Sequence, residues 1–178
     1  MNLLQELLGE LHREFPGLRI VPHSRSRLTR WVARAVRLLT GTRDFQRTYC
    51  VIGNAIYVPD DWLVQDPVGV CIVLRHERIH LRQVRRHGMP WLTFLYLVPF
   101  FPLGLAYCRA RLEWEAFEET LRATLELRGP QALRSPALRQ RILGWFTGPR
   151  YGWMWPFPAQ VNRWYDRALE RLDSEGYR

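Results

Sequence analysis

The stretch 66–90, DPVGVCIVLRHERIHLRQVRRHGMP, decides how this 178-residue chain is read. Asp66 carries a side chain that accepts the free N–H groups of a helix start, and Pro67 suits the first helical position, where a missing N–H costs nothing. Gly88 stops the helix and Pro90 keeps it stopped. Between them Val70, Val73 and Leu74 form a half-buried face, and His76-Glu77-Arg78-Ile79-His80 follows on the same rod. Side chains four apart share a helix face, so His76 and His80 can reach one ion. Glu77 is offset from both, placed to touch water on that ion rather than the ion itself. Zinc lowers the pKa of its water toward neutrality, and a carboxylate can take the proton as the water attacks a carbonyl. The alternative is a solvated, charged run in an arginine-rich helix; the well-bounded amphipathic helix favours the metal.

Upstream of this helix, TYCVI (48–52), Gly53-Asn54 and AIYV (55–58) predict a hairpin, because glycine accepts the positive φ of a two-residue turn. Residues 1–15 predict an amphipathic helix ending before Pro16-Gly17, Leu18 to Val21 a short strand, and Ser24 to Thr40 a second helix ending at Gly41. Downstream, a long helix is predicted from about Leu103 to Arg128, ended by Gly129-Pro130. Shorter helices over 136–146 and 158–172 flank the loop TGPRYGWMWPFP (147–158). The fold class expected is α+β, helix-rich, with a small β-sheet or hairpin preceding the HExxH helix. No repeat, low-complexity tract or linker divides the chain, so a single domain over 1–178 is expected.

Hydrophobic residues make up 47% and aromatics 13%, enough for a packed core and too much for wholesale disorder. All 26 basic residues are Arg, which excludes lysine nucleophiles and Schiff bases, and the net charge is +9. Cys50, Cys71 and Cys108 lack CxxC spacing and cannot build a disulfide framework, so buried, reduced thiols are expected. The N-terminal MNLLQELLGELHREF carries Glu6 and Glu10 where a secretion signal would be uninterruptedly apolar, which favours the cytoplasm. Pro90 to Cys108, PWLTFLYLVPFFPLGLAYC, is uncharged and approaches a membrane span in length. Pro99 and Pro102 break its ladder, and Arg85, Arg86 and Arg109 flank it. Buried core or a surface hairpin is favoured over peripheral membrane contact through 90–108.

A zinc site needs a third protein ligand. The extended histidine motif is excluded, since Gln83 and Arg86 stand where it needs Gly and His, and His87 is one residue out of place. The long helix offers Glu113, Glu115, Glu118, Glu119 and Glu126. Ala110, Ala116 and Phe117 lie three or four residues from Glu113, and Ala106 continues that stripe. Small residues let two helices approach closely, and a carboxylate among them is costly unless a cation meets it. Glu115 sits with Arg111, Glu118 and Glu119 on a face that reads as solvated, and Glu118 with Arg122 makes an i, i+4 surface pair. Packing therefore favours Glu113 over Glu115, against the alternative that all five only solubilise the helix.

HExxH on one helix, followed by Glu113 on a second with the small Ala116 three positions on, resembles the gluzincin zinc metallopeptidases, their minimal forms above all. The resemblance covers about residues 48–120. It implies that Zn2+ is held by His76, His80 and Glu113, that Glu77 is the general base, and that a peptide or protein is the substrate. It also implies that the strand before the motif helix, here AIYV, lines the cleft and pairs with extended peptide. The zincin-like core would then span about 45–130, with N-terminal helices 1–41 and C-terminal helices 131–178 packed on it. Integral-membrane gluzincins place an Asp four residues after the ligand Glu, where this chain has Phe117. No motif identifies the oxyanion-stabilising Tyr or His; Tyr151 and Tyr165 are candidates by chemistry alone, Tyr151 being carried as catalytic against a packing role. Two readings from other classes stand beside the peptidase: a non-catalytic zinc-containing binding or regulatory module, and a basic membrane-surface adaptor.

Arg27, Arg30, Arg34 and Arg37, opposite Leu28, Trp31, Ala35 and Leu38, give the adaptor its basic face, although a solvated face is favoured. No nucleic-acid-binding signature accompanies them. Trp153, Met154, Trp155 and Phe157 are expected to cap the core rather than to form a pocket wall or lid. His12, His23 and His87 read as ordinary surface or satisfied residues.

Overall fold

A computed structural model describes residues 2–27, 29–31, 47–92, 103–148 and 154–176. Most of the second helix predicted over 24–40, with Arg34 and Arg37, lies outside the described residues, as do Pro99, Pro102, Tyr151 and Trp153. What is described is α+β and helix-rich, with a small three-stranded sheet ahead of the motif helix. The chain divides into two compact units, Met1–Met89 and Pro90–Arg178.

In the first unit, α1 (Leu3–Glu14) is capped by the Asn2 side chain and buries Leu4, Leu7 and Leu11. The strands are β1 (Arg19–Pro22), β2 (Cys50–Ile52) and β3 (Ala55–Val58). Gly53 adopts φ 63°, the positive value the hairpin turn requires. The sheet order is β1-β3-β2. β1 runs parallel to β3, with Arg19 opposite Ala55 and Pro22 opposite Val58. β2 runs antiparallel, with Cys50 opposite Tyr57. AIYV is thus the central strand, with all four residues buried and both edges occupied. This corrects the substrate-pairing role that the gluzincin resemblance implied for it, because a strand hydrogen-bonded on both sides has no ladder left for a peptide. Ser24, expected to open the second helix, lies instead in a single 3-10 turn, His23–Arg25. His23 is buried, its Nε2 donating to the Thr48 carbonyl at 2.8 Å.

The motif helix α2 (Pro67–His87) begins where Asp66 accepts from the backbone N–H of Val68 and Gly69, at 3.2 and 3.0 Å, and ends at Gly88 with φ 80°. α1 packs against it. Arg82 forks onto both oxygens of Glu14, at 2.6 and 3.2 Å. Arg78, an interior residue of the HExxH pattern, reaches Glu14 and, at 3.2 Å, Glu10. At about 100° per residue these arginines face away from the two histidines.

Hydrogen bonds from Arg82 above all, then Arg78, hold the Glu14 carboxyl below its ordinary value of 4.5. A depressed folded-state value makes this contribution full above pH 4.5 and lost as pH falls through the lowered value. Glu14→Gln is expected to cost about 1 kcal/mol near neutrality. It should also flatten the acid limb of the thermal midpoint, measured from pH 6 to 3. An acid limb as steep as in the parent chain would assign the acid sensitivity elsewhere.

In the second unit, α3 (Leu103–Leu133) is broken at Gly129, φ 81°, where Pro130 restarts the helix, so its main segment ends where the Gly-Pro pair predicts. α4 (Pro136–Thr147) is capped by Ser135, and α5 (Pro158–Ser174) follows. The three helices bury Trp114, Leu121, Ile142, Phe146, Trp164 and Tyr165 in one core. Met154 and Trp155 join it, while Phe157 is exposed; the Trp155 backbone N–H donates to the Phe146 carbonyl at 2.9 Å. The described part of the aromatic loop is therefore a core cap. Glu118 and Arg122 do not follow the expected i, i+4 pairing. α5 supplies their partners: Arg171 for Glu118 at 2.6 Å, and Glu175 for Arg122 at 2.8 Å.

All three cysteines are free, but Cys108 is exposed and Cys50 half-buried, which corrects the expectation that all are buried. Cys108 follows Tyr107, which is partly exposed yet sets its ring against the core residue Trp155, centroids 5.1 Å apart. Among the described residues no helix is long and apolar enough to cross a membrane.

Candidate metal centre

One turn of α2 sets His80 directly above His76. The two rings meet edge to face, and their Nε2 atoms are 3.2 Å apart. Two nitrogens bound to one tetrahedral zinc at 2.0–2.1 Å would stand about 3.3 Å apart. The pair is therefore already spaced to share an ion, and the helix backbone sets that spacing.

Glu77 is buried, 5% exposed, and its charge is felt on the β2 side. Burial pushes the Cys50 thiol up to about 12, with Glu77 adding to the shift. Burial likewise pushes Tyr49 up to about 12, with the Asp61 and Glu77 carboxylates adding. Both groups are protonated at neutral pH, so Cys50 is no thiolate nucleophile. The Tyr49 hydroxyl donates to Gln65 Oε1 at 3.0 Å.

On α3, Glu113 is 3% exposed, among the fully buried Ala110 and Ala116. Glu115 is half-buried. The alanine stripe thus predicts correctly which of the two carboxylates turns inward. The first unit thus offers two imidazole nitrogens on one helix face, and the second offers the buried Glu113 carboxylate. Two histidines and a carboxylate are a donor set suited to a divalent zinc ion with a position left open.

Of the two tyrosine candidates, Tyr151 lies outside the described residues. Tyr165 belongs to the second unit's core. Its hydroxyl donates to the Leu133 carbonyl at 2.8 Å, its ring lies under the Arg139 guanidinium at 4.5 Å, and burial raises its phenol. That corrects its candidacy as oxyanion donor: the proton it would offer is already bonded to the backbone. Tyr165→Phe is expected to cost about 1 kcal/mol of thermal stability, by leaving a buried carbonyl without its donor. Metal content should be unchanged, and a loss of metal on this substitution would contradict the purely structural role.

One residue was missed in the sequence. Gln83, used there only to exclude an extended histidine motif, is 2% exposed, with its Oε1 2.9 Å from His80 Nδ1. Its place three residues after His80 was the available signal. No protein-family model matches the chain, and no curated protein or solved structure matches it either.

Proposed function

We propose that the chain is a zinc-dependent metallopeptidase in which His76, His80 and Glu113 hold the ion and Glu77 is the general base. The observation that carries this reading is the 3.2 Å separation of the two Nε2 atoms. Zinc, when bound, supplies an acidified water and a Lewis acid for the substrate carbonyl. Glu77, one residue along from His76, takes the proton from the attacking water and returns it to the leaving amine. Glu113 brings a negative charge that balances the cation and fixes the third ligand position. β2 is the sheet-edge strand that adjoins α2, and on this reading it takes the substrate-pairing role that β3 cannot fill.

A second reading, a zinc-holding binding or regulatory module, is favoured by one observation: β3, the strand nearest in sequence to the motif helix, has both edges filled. Purified protein assayed for metal and for chelator-sensitive cleavage of unfolded casein separates the two. Zinc at one ion per chain with turnover is the expected result. Zinc without turnover on casein and a peptide library moves the module ahead, and absence of zinc removes both.

A further inference from the structure

We propose that Gln83 is a positioning residue that holds His80 in one tautomer and one ring orientation for metal binding; the inference rests on the zinc reading above. A primary amide buried to 2% exposure is costly unless its polar atoms are used. Gln83 uses its Oε1 on His80 Nδ1, at 2.9 Å. A carbonyl oxygen only accepts, so Nδ1 carries the hydrogen. A neutral imidazole has a single N–H, which leaves the lone pair on Nε2. That lone pair is the one directed at His76 Nε2, 3.2 Å away, where a shared ion would sit.

The local geometry is economical. Residues 76, 80 and 83 fall at i, i+4 and i+7, within an arc of about 60° on one helix face. Both ligands and the group that orients one of them therefore belong to a single rod, already shaped by its own backbone. The orienting group is neutral. A carboxylate in its place would make the imidazole a stronger donor and the ion harder to remove, whereas an amide fixes the tautomer with a smaller gain in basicity.

The test uses the full chain, with zinc as the probe and chelator competition as the affinity measurement. Gln83→Leu is expected to weaken zinc binding roughly 10- to 100-fold. Gln83→Glu should bind at least as tightly as the parent, since the acceptor is kept and charged. Ring 15N spectra of metal-free protein supply a readout that packing alone would not move. His80 should show Nδ1–H with a bare Nε2 in the parent, and a mixture of tautomers in Gln83→Leu. A folded Gln83→Leu protein with parental affinity and an unchanged His80 tautomer overturns the proposal. If Gln83→Leu does not fold, weaker binding by Gln83→Glu overturns it instead. Failure of the parent chain to bind zinc sinks the underlying reading, while the metal-free spectra still report whether Gln83 sets the tautomer.

Discussion

Replacing His80 by alanine is expected to strip the chain of its zinc. Zinc bound by several protein ligands is held by about 10–16 kcal/mol at neutral pH, so one ligand of four is worth about 3 kcal/mol, on the order of 100-fold in affinity. His76→Ala should cost as much. The double variant should cost far less than the sum, because the two nitrogens act on one ion rather than as independent sites. The measurement is metal content after dialysis against a weak chelator, supported by thermal midpoints with and without added zinc. Ligand that binds only the folded state raises the midpoint, so the parent should gain from zinc and both single variants should not. Zinc retained at parental stoichiometry in either variant would remove the candidate centre altogether.

Glu77→Gln carries the second large effect. The substitution keeps the length and burial of the side chain and removes only its capacity to accept a proton. Zinc content should be unchanged, and turnover of casein should fall by roughly 100- to 10,000-fold, the range expected when a positioned general base is lost. Loss of zinc together with turnover would show that Glu77 supports the fold of the centre rather than the chemistry. Undiminished turnover would assign the base to another group. Zinc binding with no activity in the parent itself would leave the binding module as the reading to pursue.

What could be read beforehand follows from the range of each interaction. The bounds of α2 were legible because Asp66, Pro67 and Gly88 act within one turn of themselves. The burial of Glu113 was legible because its neighbours three residues to either side, Ala110 and Ala116, lie on the same helix. The role of β3 was not. AIYV reads as a strand from its own composition, but its parallel partner Arg19–Pro22 is more than thirty residues upstream, and no local pattern names it. Glu118 failed for the same reason: an i, i+4 arginine was in view, and the guanidinium that actually meets it comes from α5. Gln83 lay within local reach, three residues from His80 on the same helix, but spacing alone does not tell a buried amide from a solvated one.

Arg78 occupies one of the two positions that the HExxH pattern leaves unspecified, and it spends that freedom on α1 through Glu10 and Glu14. The opening helix thus works as a splint along the back of the histidine-bearing one. Trimming the first fourteen residues, or fusing a bulky partner that pries Leu4, Leu7 and Leu11 out of place, would leave every metal-binding side chain intact in the sequence while loosening the rod that aligns two of them.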